Sequence, residues 1–74
     1  MSIRTKNSTY VITEKDGILF LSKGLSEYQI LALTPYLQVG YPLIALVQKL
    51  GGYNFQPQEE VRTIWTSPIL EISN

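Results

Sequence analysis

Leu43-Ile44-Ala45-Leu46-Val47-Gln48-Lys49-Leu50-Gly51 can be read in two ways, and the choice decides the fold. As a helix, Leu43, Ile44, Val47 and Leu50 share one face and Gly51 stands just past the last turn, where glycine commonly ends helices. As a strand, Leu43–Lys49 is a central strand with both faces covered. Periodicity alone does not separate the two in so short an apolar run. The preceding segment is equally divided. Ser26-Glu27-Tyr28-Gln29 fits a capping box, with Ser26 as N-cap and Gln29 reaching back. Tyr28–Leu33 also fits a strand that Pro35 ends, with Gly40-Tyr41-Pro42 as a turn. In that second reading, Gly51 to Gln58 form a long loop to the next strand.

Outward from this stretch the signals sharpen. Ser8-Thr9-Tyr10-Val11-Ile12-Thr13 and Ile18-Leu19-Phe20-Leu21 are rich in β-branched and aromatic residues, and Asp16-Gly17 lies between them. Asp-Gly is a favoured type I′ hairpin turn. A two-residue turn there sets Ile12 opposite Leu21 and Thr13 opposite Phe20. At the other end, Val61-Arg62-Thr63-Ile64-Trp65-Thr66 reads as a strand, and Ile69-Leu70-Glu71-Ile72 resumes it after Pro68. Proline donates nothing to a ladder, so a break is expected at Thr66-Ser67-Pro68. A strand, a tight turn and a short strand resemble the end of an SH3-like barrel.

Three further segments bear on the choice: Ile3-Arg4-Thr5-Lys6-Asn7-Ser8-Thr9-Tyr10, Val39-Gly40-Tyr41-Pro42-Leu43-Ile44 and Thr66-Ser67-Pro68-Ile69. They resemble a pattern in small uncharacterised phage and prophage accessory proteins, which carry T-K-N-S-x-Y, G-x-P-L and T-S-P-V segments. This chain has Ile69 where valine is usual. The resemblance implies a mostly β structure and no catalytic activity, and it assigns no functional residue. With it, the sequence reads as a single all-β domain over residues 1–74, a small SH3-like barrel of about five strands. These are Ile3–Thr13, Ile18–Lys23, Tyr28–Leu33, Leu43–Lys49 and Val61–Ile72, the last broken at Pro68. The alternative is α+β, a hairpin followed by one or two short helices and C-terminal strands.

Composition limits the function. A folded monomer of 74 residues buries only about 60% of the surface its unfolded chain exposes, so self-association or a staple is a common remedy. Cysteine and histidine are both absent, so there is no disulfide, no thiolate or imidazole ligand, and no usual general base. The serines and threonines have no histidine to activate them, and capping and turn roles suit them better. Glu59 and Glu60 are neighbours and point to opposite sides of an extended chain, so they do not form an acid–base pair. Gly51-Gly52 lacks the spacing and the lysine of a phosphate loop. No enzyme and no cofactor is expected.

Charge is sparse and unevenly placed. Charged residues make up 16% of the chain, against roughly 25% in an average domain. Residues 1–23 hold Arg4, Lys6, Lys15 and Lys23 against Glu14 and Asp16, four basic less two acidic, a net of +2. Between Gly24 and Gln58 the only charges are Glu27 and Lys49, whereas Tyr28, Tyr36, Tyr41, Tyr53 and Phe55 all fall there. Tyrosine offers apolar area with a polar end, which suits interfaces. Tyr28, Tyr36, Tyr41, Tyr53, Phe55 and Trp65 are therefore the candidate binding residues. For Trp65 the first reading is a core anchor and the second an exposed hot spot.

The expected function is a non-catalytic binding module, an accessory protein that blocks or sequesters a host component as a homo-oligomer. A small-molecule ligand is a further candidate partner. The alternative is a nucleic-acid- or nucleotide-binding protein that uses Arg4, Lys6, Lys15 and Lys23, although a zero net charge lacks the basic excess such proteins carry. The N-terminus has no apolar run after its basic residues and Pro42–Val47 is too short to cross a bilayer, so a cytoplasmic protein without membrane association is expected.

Overall fold

In the computed structural model, which describes residues 1–49 and 61–74, Asp16 and Gly17 have φ values of 55° and 80°. Positive φ at both central residues is the mark of a type I′ turn, whose twist matches that of the strands it joins. The turn sets the expected register: Ile12 lies opposite Leu21 and Thr13 opposite Phe20. A second two-residue turn follows. Lys23 pairs with Ser26 across Gly24-Leu25, and Gly24 alone has positive φ, 60°, as a type II′ turn requires at its first central position. Ser26 therefore opens a strand and caps no helix, and Gln29 pairs with Phe20.

Among the described residues six strands result: β1 Ser2–Thr5, β2 Thr9–Lys15, β3 Ile18–Lys23, β4 Ser26–Leu33, β5 Pro42–Lys49 and β6 Val61–Ser73. Each pairs antiparallel with the next, and β6 returns to pair with β1, closing a small all-β barrel of the SH3-like kind. The α+β alternative fails, because there is no helix among the described residues. It follows that none of them forms a helix long and apolar enough to cross a membrane.

Two boundaries differ from the sequence reading. The expected strand Ile3–Thr13 is two strands, so the barrel has six rather than about five. The chain reverses after Thr5, whose amide donates to the Ser8 carbonyl at 2.8 Å and whose buried hydroxyl donates to the same oxygen at 3.2 Å. The second correction is at Pro68, where β6 runs on without a break over 13 residues. Pro68 faces Pro42, and neither residue has an N–H to leave unsatisfied. Next to them β6 carries a bulge, with two residues of β6 spanning one of β5. The Thr66 hydroxyl mends the ladder there: it accepts from the Leu43 amide at 2.9 Å and donates to the Ser67 carbonyl at 2.6 Å. Beyond Pro68, the Ile69 amide donates to the Tyr41 carbonyl and the Gly40 amide to the Ile69 carbonyl, both at 2.9 Å. The connection from β4 to β5 thus continues the ladder that proline would have ended.

The core fills the barrel with alternate residues of every strand: Ile3, Tyr10, Ile12, Leu21, Tyr28, Ile30, Leu43, Ala45, Val47 and Ile69. Ile3, Leu21, Leu43, Val47 and Ile69 are sealed from water. Along β5 the burial alternates strictly from Leu43 to Val47, as a strand with one side inward must. The expectation that both faces of this strand are covered is corrected here. Only the inner face is covered, and Leu46 on the outer face remains 39% exposed.

Candidate functional site

The outer faces of β4, β5 and β6 form one side of the barrel. Cross-strand register places Ala32 beside Leu46 and Leu46 beside Thr63, with Ile44 beside Trp65 in the next row. The following row pairs Gln29 with Gln48 and Gln48 with Val61. Leu31 is the extra residue of a β4 bulge between Ile30 and Ala32, and it too is exposed. Directly opposed side chains on such a face lie about 5 Å apart, so these residues make a continuous surface. Leu31, Leu46, Val61 and Trp65 are its exposed large apolar groups, and Trp65 is 72% exposed. The outward residues of its central rows, Ala32, Ile44, Leu46, Thr63 and Trp65, are uncharged, whereas Glu27 stands outward near the start of β4 and Glu71 outward near the end of β6. The nearest charges along these strands are Glu27, Lys49 and Arg62, and Arg62 stands in the alternate set, opposite buried Val47.

A second apolar group lies on the connection between β4 and β5. The rings of Tyr36 and Tyr41 stack, with centroids 5.8 Å apart and planes 21° from parallel. Both tyrosines are exposed, as is Val39 between them. Their backbone is fixed at several points: the Tyr36 amide donates to the Thr34 hydroxyl at 3.2 Å, the Tyr41 amide to the Gln38 carbonyl at 3.1 Å, and the Tyr41 carbonyl accepts from Ile69. Aromatic side chains held in place in this way lose little freedom when a partner covers them.

The candidate binding residues are therefore divided. Tyr36, Tyr41 and Trp65 stand at the surface. Tyr28 does not, because at 9% exposure its ring belongs to the core. Trp65 is not the core anchor that was the first reading. On a strand with Ile64 partly buried against the core, the alternation turns Trp65 outward. Tyr53 and Phe55 lie outside the described residues, as do Glu59, Glu60 and Gly51-Gly52.

The basic residues do not form one patch. Lys15 adjoins the β2–β3 turn and Lys23 ends β3. At about 3.3 Å per residue, β3 holds them roughly 17 Å apart. Arg4 is already engaged, its Nε donating to Glu71 Oε1 at 3.1 Å across the β1–β6 pairing. Lys23 Nζ sits 5.7 Å from the centroid of the Tyr10 ring, and that ring is buried and so not open for a base to stack on. The Lys6 amide donates to the Ser67 hydroxyl at 3.3 Å.

Sequence reasoning passed over Leu31, Leu46 and Val61. A signal for them exists. An apolar run in an antiparallel strand supplies both faces, and a closed barrel can bury only one of them within the chain. Among the described residues there is no pocket and no group of three or more acidic side chains suited to a metal ion. What the arrangement offers chemically is surface: an apolar patch around Leu46 and Trp65 and a stacked tyrosine pair. No family model, no curated protein and no solved structure matches this chain.

Proposed function

We propose that the protein is a non-catalytic interaction module, an accessory protein of the phage type that blocks or sequesters a host component and works as an assembly of identical copies. The observation that carries this reading is the outward Trp65, 72% exposed on the same face as exposed Leu46 and Val61. An exposed tryptophan among exposed leucine and valine is costly to leave in water, and tryptophan and tyrosine dominate the binding energy of protein interfaces. The residues of the chain fit this reading and offer little for chemistry, since it holds neither histidine nor cysteine.

The rival is nucleic-acid binding through the basic residues, and salt separates the two. The immobilised protein is expected to retain a discrete host protein, with retention little changed as salt rises and lost in Tyr41→Ala. Retention of nucleic acid that falls steeply with salt and is lost in Lys6→Ala or Lys23→Ala would establish the rival instead.

A further inference from the structure

We propose that Tyr36 and Tyr41 are an oxidative cross-linking site, at which a haem peroxidase with hydrogen peroxide joins the two rings of one chain into a dityrosine. This covalent modification is independent of the interaction-module reading. Composition makes room for it. A domain of 74 residues is small enough to profit from a staple, and without cysteine it has no disulfide to use. Phenol rings are side chains that one-electron oxidation joins directly, carbon to carbon. Exposure then selects the pair. Tyr36 and Tyr41 are exposed, whereas Tyr10 and Tyr28 are buried in the core. Among the described tyrosines, only the stacked pair presents open rings to an oxidant.

Geometry favours coupling within the chain. The ring centroids are 5.8 Å apart and the planes 21° from parallel. The backbone between them is tied down. The Gln38 amide donates to the Tyr36 carbonyl at 3.0 Å and the Tyr41 amide to the Gln38 carbonyl at 3.1 Å, while Gly40, with φ of 95°, donates to Ile69. A turn of either exposed side chain, a motion of picoseconds to nanoseconds, brings an ortho carbon of one ring against the other. Two reactants held this way couple in an effectively unimolecular step, which outruns coupling between chains in dilute solution. Each phenol loses one electron and one proton and becomes a phenoxyl radical. A carbon–carbon bond forms between the ring carbons ortho to the two oxygens, and the hydrogen on each of those carbons moves, as a proton, to its own oxygen. The two electrons and two protons removed turn one hydrogen peroxide into two waters. The new bond ties residue 36 to residue 41 across the connection from β4 to β5.

Dilute full chain treated with a haem peroxidase and hydrogen peroxide tests this, with free tyrosine coupled in parallel as the positive control. The expected product remains a single chain of 8.4 kDa, lighter by two hydrogens, and gains the fluorescence of dityrosine. The tryptic peptide from Gly24 to Lys49 holds both rings and should carry the loss, with no fragment ions from breaks between residues 36 and 41. Oxygen added at exposed Trp65 would fall in another peptide. Tyr36→Phe and Tyr41→Phe each keep a ring and remove the phenol, and each should lose this product. Tyr10→Phe and Tyr28→Phe should keep it. Driven instead by a photochemical one-electron oxidant that tolerates urea, the yield is expected to fall about ten-fold when the chain is unfolded, because the rings are then no longer held together. A monomer that keeps all its hydrogens while free tyrosine couples overturns the proposal. So does a product that forms only between chains, a link that survives Tyr36→Phe, or an equal yield from the unfolded chain.

Discussion

The wall of β4 to β6 and the opposite side of the barrel, β2 and β3, are built on the same pleat but dressed differently. Inward, both supply large apolar groups: Tyr10, Ile12 and Leu21 on one side, Ile30, Leu43 and Val47 on the other. Outward, β2 and β3 pair Val11 with Ser22, Thr13 with Phe20 and Lys15 with Ile18, and Thr9 is exposed as well, so each apolar group here faces a hydroxyl or a charge. That is the mixture of β-branched, hydroxyl and charged groups common on a solvated antiparallel face. The wall instead sets Leu46 beside Thr63 and Ile44 beside Trp65. Packing explains the inner faces of both regions. It asks nothing particular of the outer faces, so an apolar group there has to be explained by something beyond the chain's own core.

Substitutions along β5 break this comparison most directly. Leu43→Ala empties a fully buried site and is expected to cost about 2–5 kcal/mol in urea unfolding. Leu46→Ala, three residues on and facing outward, should change the stability of the monomer by about 0.5 kcal/mol at most. Equal losses at the two positions would mean that the outer face also packs within the monomer.

The next effect concerns hydroxyls on β6. Thr66→Val deletes the acceptor of the Leu43 amide beside the bulge and should cost about 1–3 kcal/mol, the penalty of a half-buried donor left unpaired. Thr63→Val, on the wall, is expected to be neutral or slightly stabilising, since valine is the better strand former and the site is exposed. Thermal melting of the two variants compares a hydroxyl the barrel uses with one it does not.

Smaller still is the effect at the β2–β3 turn. A Cβ on Gly17 would meet nothing within 4 Å, yet φ is +80° there. Gly17→Ala should therefore cost about 1–2 kcal/mol through backbone conformation alone. A loss well beyond that range, read by chemical denaturation, would point to a contact at the turn that the geometry lacks.

The legibility of this chain follows the range of the interactions involved. The Asp16-Gly17 hairpin was readable residue by residue because turn type and register are both local. The C-terminal strand was readable in its two halves, but its passage through Pro68 was not. That passage depends on Pro42 lying opposite and on the Thr66 hydroxyl replacing a ladder partner, and both are matters of long-range register. For Trp65 a core anchor is the first reading and an exposed hot spot the second, because a lone tryptophan between Ile64 and Thr66 fits either face; the phase of β6 is set by Ile64 pairing with Ala45 on the neighbouring strand. The turn at Lys6-Asn7-Ser8 carries no glycine or proline, which hides the division of the first strand. Of the candidate site, Tyr36, Tyr41 and Trp65 were in view as residue types. The leucine and valine that surround Trp65 were not, because an outward aliphatic looks no different from an inward one until the strand's phase is known.

The smallest expected effect returns to the stretch where helix and strand competed. Lys49 ends β5, pairs in register with Tyr28, and is exposed. On a helix, Lys49→Ala would be neutral or favourable and Lys49→Thr unfavourable, because alanine is the better helix former. In a strand the order reverses. Alanine is depleted in strands and threonine enriched, and the difference reaches a few tenths of a kcal/mol up to about 1 kcal/mol. The lower part of that range applies here, because the residue closes the strand and has few neighbours to pack against. Lys49→Thr is therefore expected to unfold at slightly higher urea than Lys49→Ala, with the slope of the transition unchanged. Alanine exceeding threonine would mean that β5 ends before Lys49, and the pairing with Tyr28 would then add nothing to the barrel's stability.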